Sequence, residues 1–277
     1  MPIGIWLVGL LTYPLLWSIA LAAPQGHLPN FKTLILFAVG AIPFRCAACT
    51  INEILDSDID RLIERTKSRP IACGAVTPFQ GLCFFGLEIL LGLAILLPAL
   101  NTCSRLLGIP FLFLTCTYPL MKRITYWPQA YLGLNFNWGA LLGWAAVKGS
   151  LDLKIVLPLY IGGVFWTLVY DTIYAHQDRE EDMQVGVKST ALLFGNSTKT
   201  WTTGFAIACI ASLALSGYNA RIGWPFYVSL IAASGQLGWQ IWTVDLSSGD
   251  DCKSKFVSNK WFAGIVFSGI LIGRLLP

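Results

Sequence analysis

Apolar residues in this chain come in long unbroken runs separated by short polar breaks. The period-2 and period-3.6 alternations of soluble strands and helices are not the dominant pattern. Each run is roughly 17–25 residues long, the length a helix needs to cross a bilayer. Read this way, the chain is all-α, a single membrane domain over 1–277. It has nine transmembrane helices at about 3–23, 31–54, 78–98, 103–121, 129–148, 154–176, 200–217, 223–243 and 259–276. The third and fourth are separated only by Asn101-Thr102. The Gly and Pro inside several runs are tolerable in membrane helices, where neighbours satisfy the freed backbone groups.

Composition agrees. Hydrophobic residues make up 55% of the chain and charged residues 12%, about half the charge of a soluble domain. Mean hydropathy is +0.64. Eleven Trp and nine Tyr suit a protein that meets two lipid–water interfaces. Twelve of the nineteen Lys and Arg fall in four loops on one side, those between spans 2–3, 4–5, 6–7 and 8–9. That bias places this side in the cytosol or, for an organelle, the matrix. No basic run interleaves with aromatics, so nucleic acid is set aside as a partner. Nothing points to an obligatory protein partner. Cys46 and Cys49 form a C-x-x-C within an apolar run, with no second pair and no nearby His. They read as small helix-core residues, not as a metal or redox site. Met1-Pro2-Ile3-Gly4 leads straight into an apolar run, with no basic, Ser-rich leader visible.

The acids are concentrated. Ten of fifteen Asp and Glu fall in two windows, at the same-side ends of the second and sixth spans. That four-helix offset suggests a weak internal repeat, which brings the windows together across a central cavity. In the first window Asn52, Asp56 and Asp60 are spaced i, i+4, i+8 and line one helix face. In the second, Asp178 and Asp182 repeat the i, i+4 spacing, and Asp171 lies a heptad earlier and deeper. Carboxylate and amide oxygens are hard ligands that suit magnesium shared with substrate phosphates. Asn52, Asp56, Asp60, Asp178 and Asp182 are therefore the candidate metal ligands, and Mg2+ the candidate cofactor. An Asp near the bilayer centre costs about 2.5–3.5 kcal/mol to insert, which makes Asp171 a functional candidate beside Asp178 and Asp182. Among the bases, Lys67, Arg69, Lys122 and Lys188 sit in T-K-S-R-P, Y-P-x-x-K and V-K-S-T settings and are assigned to phosphate oxygens. Arg61, Arg65 and Arg123 read as topology-setting charges.

These motifs resemble a known family. N-x-x-x-D-x-x-x-D followed by E-R-T-K-S-R-P, then Y-D-T-I-Y-A-H-Q-D-x-x-x-D with G-V-K-S-T-A-L-L-F-G, are similar to those of the UbiA intramembrane prenyltransferases. The stretches Tyr118–Arg123, Tyr126–Gln129 and Asn137–Trp144 resemble the members that prenylate 4-hydroxybenzoate, and the tail from Ser234 to Phe262 looks like the plant members. The likeness covers essentially the whole chain. It implies nine helices around a cavity, magnesium bound through both Asp motifs to a prenyl diphosphate, and 4-hydroxybenzoate or a close phenolic acid as acceptor. Two plant branches share these motifs. One makes the ubiquinone precursor in the mitochondrial inner membrane; the other, geranyl-specific, serves shikonin-type pigment pathways in the endoplasmic reticulum. There are three departures. Family members carry an Arg-containing basic stretch before Pro-Ile-Gly where Met1 stands here, and Glu53 and Glu181 replace Asp.

The chemistry implied is ionisation of an allylic diphosphate, attack by the ring carbon ortho to the phenol, and loss of the ring proton to Asp171 or to the released diphosphate. A dry cavity protects the cation from water. Tyr118, Tyr174 and Trp138 offer aromatic faces for it, with helix packing the competing role for Trp138. Arg45, within the second span, is the candidate clamp for the acceptor carboxylate. His176 reads as a buried hydrogen-bonding residue. Transport of anionic solutes is the main alternative. It places its polar groups at the membrane midplane, whereas these cluster at one surface. A scaffold or channel leaves the matched Asp motifs unexplained. Prenyl or phytyl transfer to homogentisate fits the Y-P-L-M-K-R and N-W-G-A-L-L-G-W stretches less well.

Overall fold

A computed structural model describes residues 3–276, with side chains from Thr12 onward. Among the described residues all regular structure is helical: α1 (Ile3–Leu21), α2 (Phe31–Leu55), α3 (Ser57–Asp60), α4 (Pro78–Leu96), α5 (Thr102–Ile124), α6 (Pro128–Phe136), α7 (Gly139–Lys148), α8 (Leu153–Tyr174), α9 (Arg179–Val185), α10 (Thr190–Phe194), α11 (Thr198–Asn219), α12 (Pro225–Thr243) and α13 (Gly249–Leu275). Among the described residues six segments are long and apolar enough to cross a membrane: Phe31–Leu55, Pro78–Ala99, Thr102–Ile124, Leu153–Val185, Thr190–Asn219 and Gly249–Leu275. Large apolar side chains such as Leu82, Phe84, Leu87 and Leu90 on α4 and Ile109 and Phe113 on α5 stand exposed. A helix apolar on its outer face belongs in lipid.

With lipid outside, helix association depends on close packing and interhelical hydrogen bonds, since apolar burial gives little drive there. The centre of the bundle follows that rule. Trp17 of α1, Trp166 of α8 and Phe262 of α13 pack ring on ring, with Trp17–Trp166 and Trp166–Phe262 centroids 5.3 and 5.1 Å apart. Each indole N–H is satisfied: Trp17 donates to the Ala263 carbonyl (3.0 Å) and Trp166 to Asn259 Oδ1 (2.8 Å). Small residues set the helix approaches. A Cβ at Gly143 of α7 would run into Ser18 and the Leu15 carbonyl of α1, and one at Gly163 of α8 would run into the Asn137 side chain. On the side opposite the acid motifs, buried Arg274 donates to the carbonyls of Leu21 and Ala220, two otherwise unpaired acceptors where α1 and α11 end.

Two expected spans come out differently. The run at 129–148 is interrupted at Asn137-Trp138, giving α6 and α7. Asn137 Nδ2 donates to the Gly133 carbonyl (2.8 Å) and to Thr167 Oγ1 (2.9 Å), and the space beside Gly163 admits its side chain. Trp138 Nε1 donates to the Leu107 carbonyl (2.8 Å) and its ring meets Tyr160 edge-on, so Trp138 is a packing residue. The last helix starts at Gly249, ten residues before the expected start. Ser248 caps it by accepting from the Asp251 N–H, and Asp250 and Asp251 complement its positive end. That cap sits outside the apolar run, so hydropathy alone misses it. The polar contact expected at the start of helix 1 falls among residues 1–11, outside the described side chains.

The α1–α7 approach yields a test. Gly143→Val would overpack that contact and should lower the stability of the purified protein by about 1–3 kcal/mol, read as a drop in thermal midpoint. Gly86, whose added Cβ meets nothing within 4 Å, should accept Ala without such a drop.

Candidate active site

A cavity of about 280 Å³ opens where α2 and α8 end, and both acid windows line it: Asn52, Asp56 and Asp60 from one, Asp171, Asp178 and Asp182 from the other. The first window is not one continuous helix. α2 stops at Leu55, Asp56 is its C-cap, and α3 continues after it. The i→i−4 hydrogen bonds still run through the break, from Asp56 N to Asn52 O (2.9 Å) and from Asp60 N to Asp56 O (2.8 Å), so the three side chains keep their spacing. The second window is also segmented. A 3₁₀ turn over Ala175–Asp178 follows α8, and Asp178 begins α9. Gly186 then takes a left-handed conformation (φ 77°) that ends α9 and turns the chain toward Lys188. The Lys188 N–H donates to the Lys122 carbonyl (2.8 Å).

Bases from the first half of the chain neutralise acids of both windows. Lys122 Nζ lies 2.6 Å from Asp56 Oδ2, and Arg69 Nη1 lies 2.7 Å from Asp60 Oδ2. Arg65 forks onto Asp178 with contacts of 2.5, 2.9 and 3.1 Å, a bidentate pair that joins the two windows. On the rim, Arg123 forks onto Asp58 and also donates to the Leu55 carbonyl (2.9 Å). That hydrogen-bonded guanidinium holds the exposed Asp58 carboxyl down at about 2. A lowered folded-state value favours the fold above the ordinary carboxylate range and is lost only as pH falls toward 2, so this tie persists at any working pH.

Two oxygens bear on whether the residues fit a divalent cation. Asn52 Oδ1 and Asp56 Oδ1 are buried at the cavity with no hydrogen-bond partner. Leaving buried acceptors unmade is costly, and both are hard oxygen donors of the kind Mg2+ takes. Among the described residues no three acidic, His or Cys side chains close on a common point. The donor set is thus open, suited to a metal that completes its shell with a ligand's own oxygens. Deeper in, Arg45, Tyr118, Tyr170 and Asp171 line the same cavity. Arg45 lies over the Phe136 ring (5.4 Å to the centroid). The salt bridges of the described residues leave Arg45, Asp171 and Asp182 out.

The structure therefore brings together Arg45, Arg69, Tyr118, Lys122, Tyr174 and Lys188 with the five candidate ligands and Asp171. Lys188 Nζ itself rests on the Ile124 carbonyl (3.1 Å) and above the Tyr126 ring. Lys67 is not among them. It points to solvent and pairs with Glu64 at 2.5 Å, three residues away in the same turn-rich loop, an exposed pair of little consequence. Arg65, two residues earlier, holds the place instead. Adjacent bases in a loop without a fixed period cannot be sorted by sequence, because the turns between Arg61 and Pro70 decide which one faces inward. His176 is buried against Thr198 Oγ1 (3.0 Å) and is absent from the cavity wall.

A second, almost wholly apolar chamber of about 260 Å³ adjoins the first. The two share Arg45, Ala48, Thr115, Asn135 and Phe136, and the second continues between α2, α4, α5 and α7 toward Leu97 and Arg105.

An all-helical membrane bundle with an acid- and base-lined polar cavity leading into an apolar chamber is the frame of an enzyme that handles an amphiphile with a phosphorylated head. The chain belongs to the UbiA prenyltransferase family, whose model matches residues 11–265. It is 64% identical over 273 residues to the Arabidopsis thaliana "4-hydroxybenzoate polyprenyltransferase, mitochondrial", covering 99% of this chain and 66% of that protein. It is 54% identical to the Lithospermum erythrorhizon "4-hydroxybenzoate geranyltransferase 2", covering 100% of this chain and 88% of that one. The same fold occurs in a UbiA homolog from Aeropyrum pernix K1 (TM-score 0.79, 24% identity, 95% of this chain and 97% of that). It also occurs in one from Archaeoglobus fulgidus bound to DMAPP and Mg2+ (TM-score 0.64, 14% identity, 95% of this chain and 96% of that).

The contrast between Arg65 and Lys67 is directly testable. Losing one charge-assisted contact costs about 1.5–3 kcal/mol, so Arg65→Ala should weaken magnesium-dependent pyrophosphate binding by about tenfold or more. Lys67→Ala should leave it within about twofold. Isothermal titration of the two purified variants decides between the arginine and the lysine.

Proposed function

We infer that this chain transfers a prenyl group from an allylic polyprenyl diphosphate to the ring carbon ortho to the hydroxyl of 4-hydroxybenzoate, in ubiquinone biosynthesis. The observation that carries the reading is the junction itself: one polar cavity, lined by both Asp motifs and by Arg65, Arg69, Lys122 and Lys188, opens into an apolar chamber. A diphosphate head and an isoprenoid tail need those two environments side by side. The names of the plant relatives supply the acceptor. The word mitochondrial in the Arabidopsis name supports a mitochondrial location; we place the chain in the inner membrane, with the endoplasmic reticulum the alternative. The proposed topology has nine crossings. They are the six long apolar segments, α1, α12 and the interrupted α6–α7 pair.

Magnesium, held by Asn52, Asp56, Asp60, Asp178 and Asp182, supplies Lewis-acid neutralisation of the departing diphosphate. The chain's own residues do the rest. Lys122, Arg69, Arg65 and Lys188 take the phosphate oxygens, which draws Arg65 off Asp178 and Lys122 off Asp56, and so frees those carboxylates for the metal. The allylic C–O bond breaks and its electron pair leaves with the diphosphate. Tyr118 and Tyr174 present aromatic faces to the cation, and the bilayer-buried walls exclude water. Arg45 clamps the acceptor carboxylate. The phenol-activated ortho carbon attacks, a C–C bond forms, and the ring proton passes to the Asp171 carboxylate, which lines the cavity and has no hydrogen bond or salt bridge to another described side chain.

Two measurements separate these roles. Asp56→Ala and Asp178→Ala should each lower kcat/KM by at least about 100-fold in a membrane assay that follows prenylated 4-hydroxybenzoate by mass. Solute flux lost in place of product would favour transport. Arg45→Ala should raise the acceptor KM by about tenfold or more and leave the donor KM unchanged, the signature of a ground-state clamp. An equal rise for both substrates would remove Arg45 from the acceptor site.

A further inference from the structure

The roles assigned to the cavity leave one of its polar side chains unused. Gln129 stands in the first turn of α6, just after Pro128, which opens that helix where a backbone N–H has no partner to lose. The residue is only 6% exposed, and its side chain lines the polar cavity together with Lys122, Lys188 and Ser189. Gln129 Oε1 accepts from the Thr190 N–H (3.0 Å). That N–H belongs to the first turn of α10 and has no partner within its own helix. Thr190 Oγ1 in turn lies 2.7 Å from Thr172 Oγ1 of α8.

A backbone N–H can only donate, so this contact fixes which end of the Gln129 amide is the oxygen. The other end, Nε2, is a pure donor. Among the described residues it has no hydrogen-bond partner, although the side chain is buried at the cavity wall. A buried donor left unmade is costly, and the cost is recovered when a hydrogen-bond acceptor fills the cavity. The neighbours indicate which acceptor. The Lys188 N–H on the Lys122 carbonyl (2.8 Å) ties the segment after Gly186 to α5, and Gln129 ties the same segment to α6. Two ammonium groups and a donor-only amide end, brought together this way, suit an anion with several acceptor oxygens.

We propose that Gln129 is a catalytic residue whose Nε2 donates a hydrogen bond to the diphosphate of the prenyl donor, a bond that strengthens as the diphosphate leaves. The inference rests on the transferase reading above. When the allylic C–O bond breaks, its electron pair stays on the diphosphate oxygen. A fixed donor stabilises that growing charge without reorganising, and the amide itself transfers no proton. Lys122 and Arg65 must leave Asp56 and Asp178 before they meet a phosphate. Gln129 is neutral, is anchored through its oxygen, and pairs with no acid, so its donor end is in place before the substrate arrives.

Gln129→Glu and Gln129→Met separate this role from a structural one. Glu keeps an oxygen for the Thr190 N–H and loses the donor; Met fills similar space with neither. The purified full-length proteins are titrated with inorganic pyrophosphate and magnesium, folding is checked by thermal midpoint, and membranes are assayed with 4-hydroxybenzoate and diphosphates from geranyl to decaprenyl. Pyrophosphate affinity and kcat should both fall, by about tenfold or more in Gln129→Met and by about 100-fold or more in Gln129→Glu. The acceptor KM should not change, and the Gln129→Glu midpoint should stay close to wild type. A folded Gln129→Glu that matches wild type shows that Gln129 only caps α10 and overturns the proposal. So does a folded Gln129→Met with unchanged affinity, or a rise in acceptor KM alone; if only one variant folds, its affinity decides. Failure of the transferase reading shows separately, as a folded wild type that binds pyrophosphate and gives no product with any donor, while the three affinities still decide whether Gln129 meets the diphosphate.

Discussion

The arrangement at the cavity mouth depends on charge compensation. Asp56, Asp60, Asp178 and Asp182 all stand at one mouth, three of them on its inner wall beside low-dielectric helices. Carboxylates buried around one cavity are costly to keep ionised without cations. Lys122, Arg69 and Arg65 provide them, each from a different segment from its acid or from across a turn. Each base thereby ties one part of the chain to another. The Arg65–Asp178 fork joins the loop after α3 to the start of α9, and Lys122–Asp56 joins α5 to α2. The ends of α2, α5 and α8 are held together by side chains that line the cavity, so the cavity wall forms part of the structure on this face of the bundle.

At the other face a single cation serves a different purpose. Arg274 meets no acid there. It is spent on two helix-terminal carbonyls, where backbone groups would otherwise face a dry environment. Between the two faces the Trp17–Trp166–Phe262 stack gives α1, α8 and α13 a spine; the polar cavity lies between the ends of α2 and α8, and the chamber chiefly among α2, α4, α5, α6 and α7. The spine is dense and fully hydrogen-bonded. The substrate side instead carries orphan oxygens at Asn52 and Asp56.

Much of this was legible in the residue order. The long apolar runs gave the helices, and the i, i+4 acids gave the two windows that line the cavity, because helix periodicity and hydropathy are local properties. What escaped was non-local. The interruption at Asn137 depends on space beside Gly163, a residue of another helix. The early start of α13 depends on a cap, Ser248, that no hydropathy window registers. The exchange of Lys67 for Arg65 depends on turns between α3 and α4 whose directions the composition of the loop does not encode. The Asn52–Asp60 window is a related case. The spacing survived a helix break only because backbone hydrogen bonds bridge it, a detail invisible to periodicity.

The geometry of the two compartments also sorts what the reaction makes. The polar cavity opens at the charged end of the bundle, and the apolar chamber leads away from it between α2, α4, α5 and α7. A diphosphate, once severed from its tail, is soluble only in the first direction, and the lengthened phenol only in the second. The two products leave into different phases, water and bilayer, where neither readily meets the other again. Reversal would require both to find the same small volume from opposite media. Partition, as much as bond energy, then makes the transfer one-way.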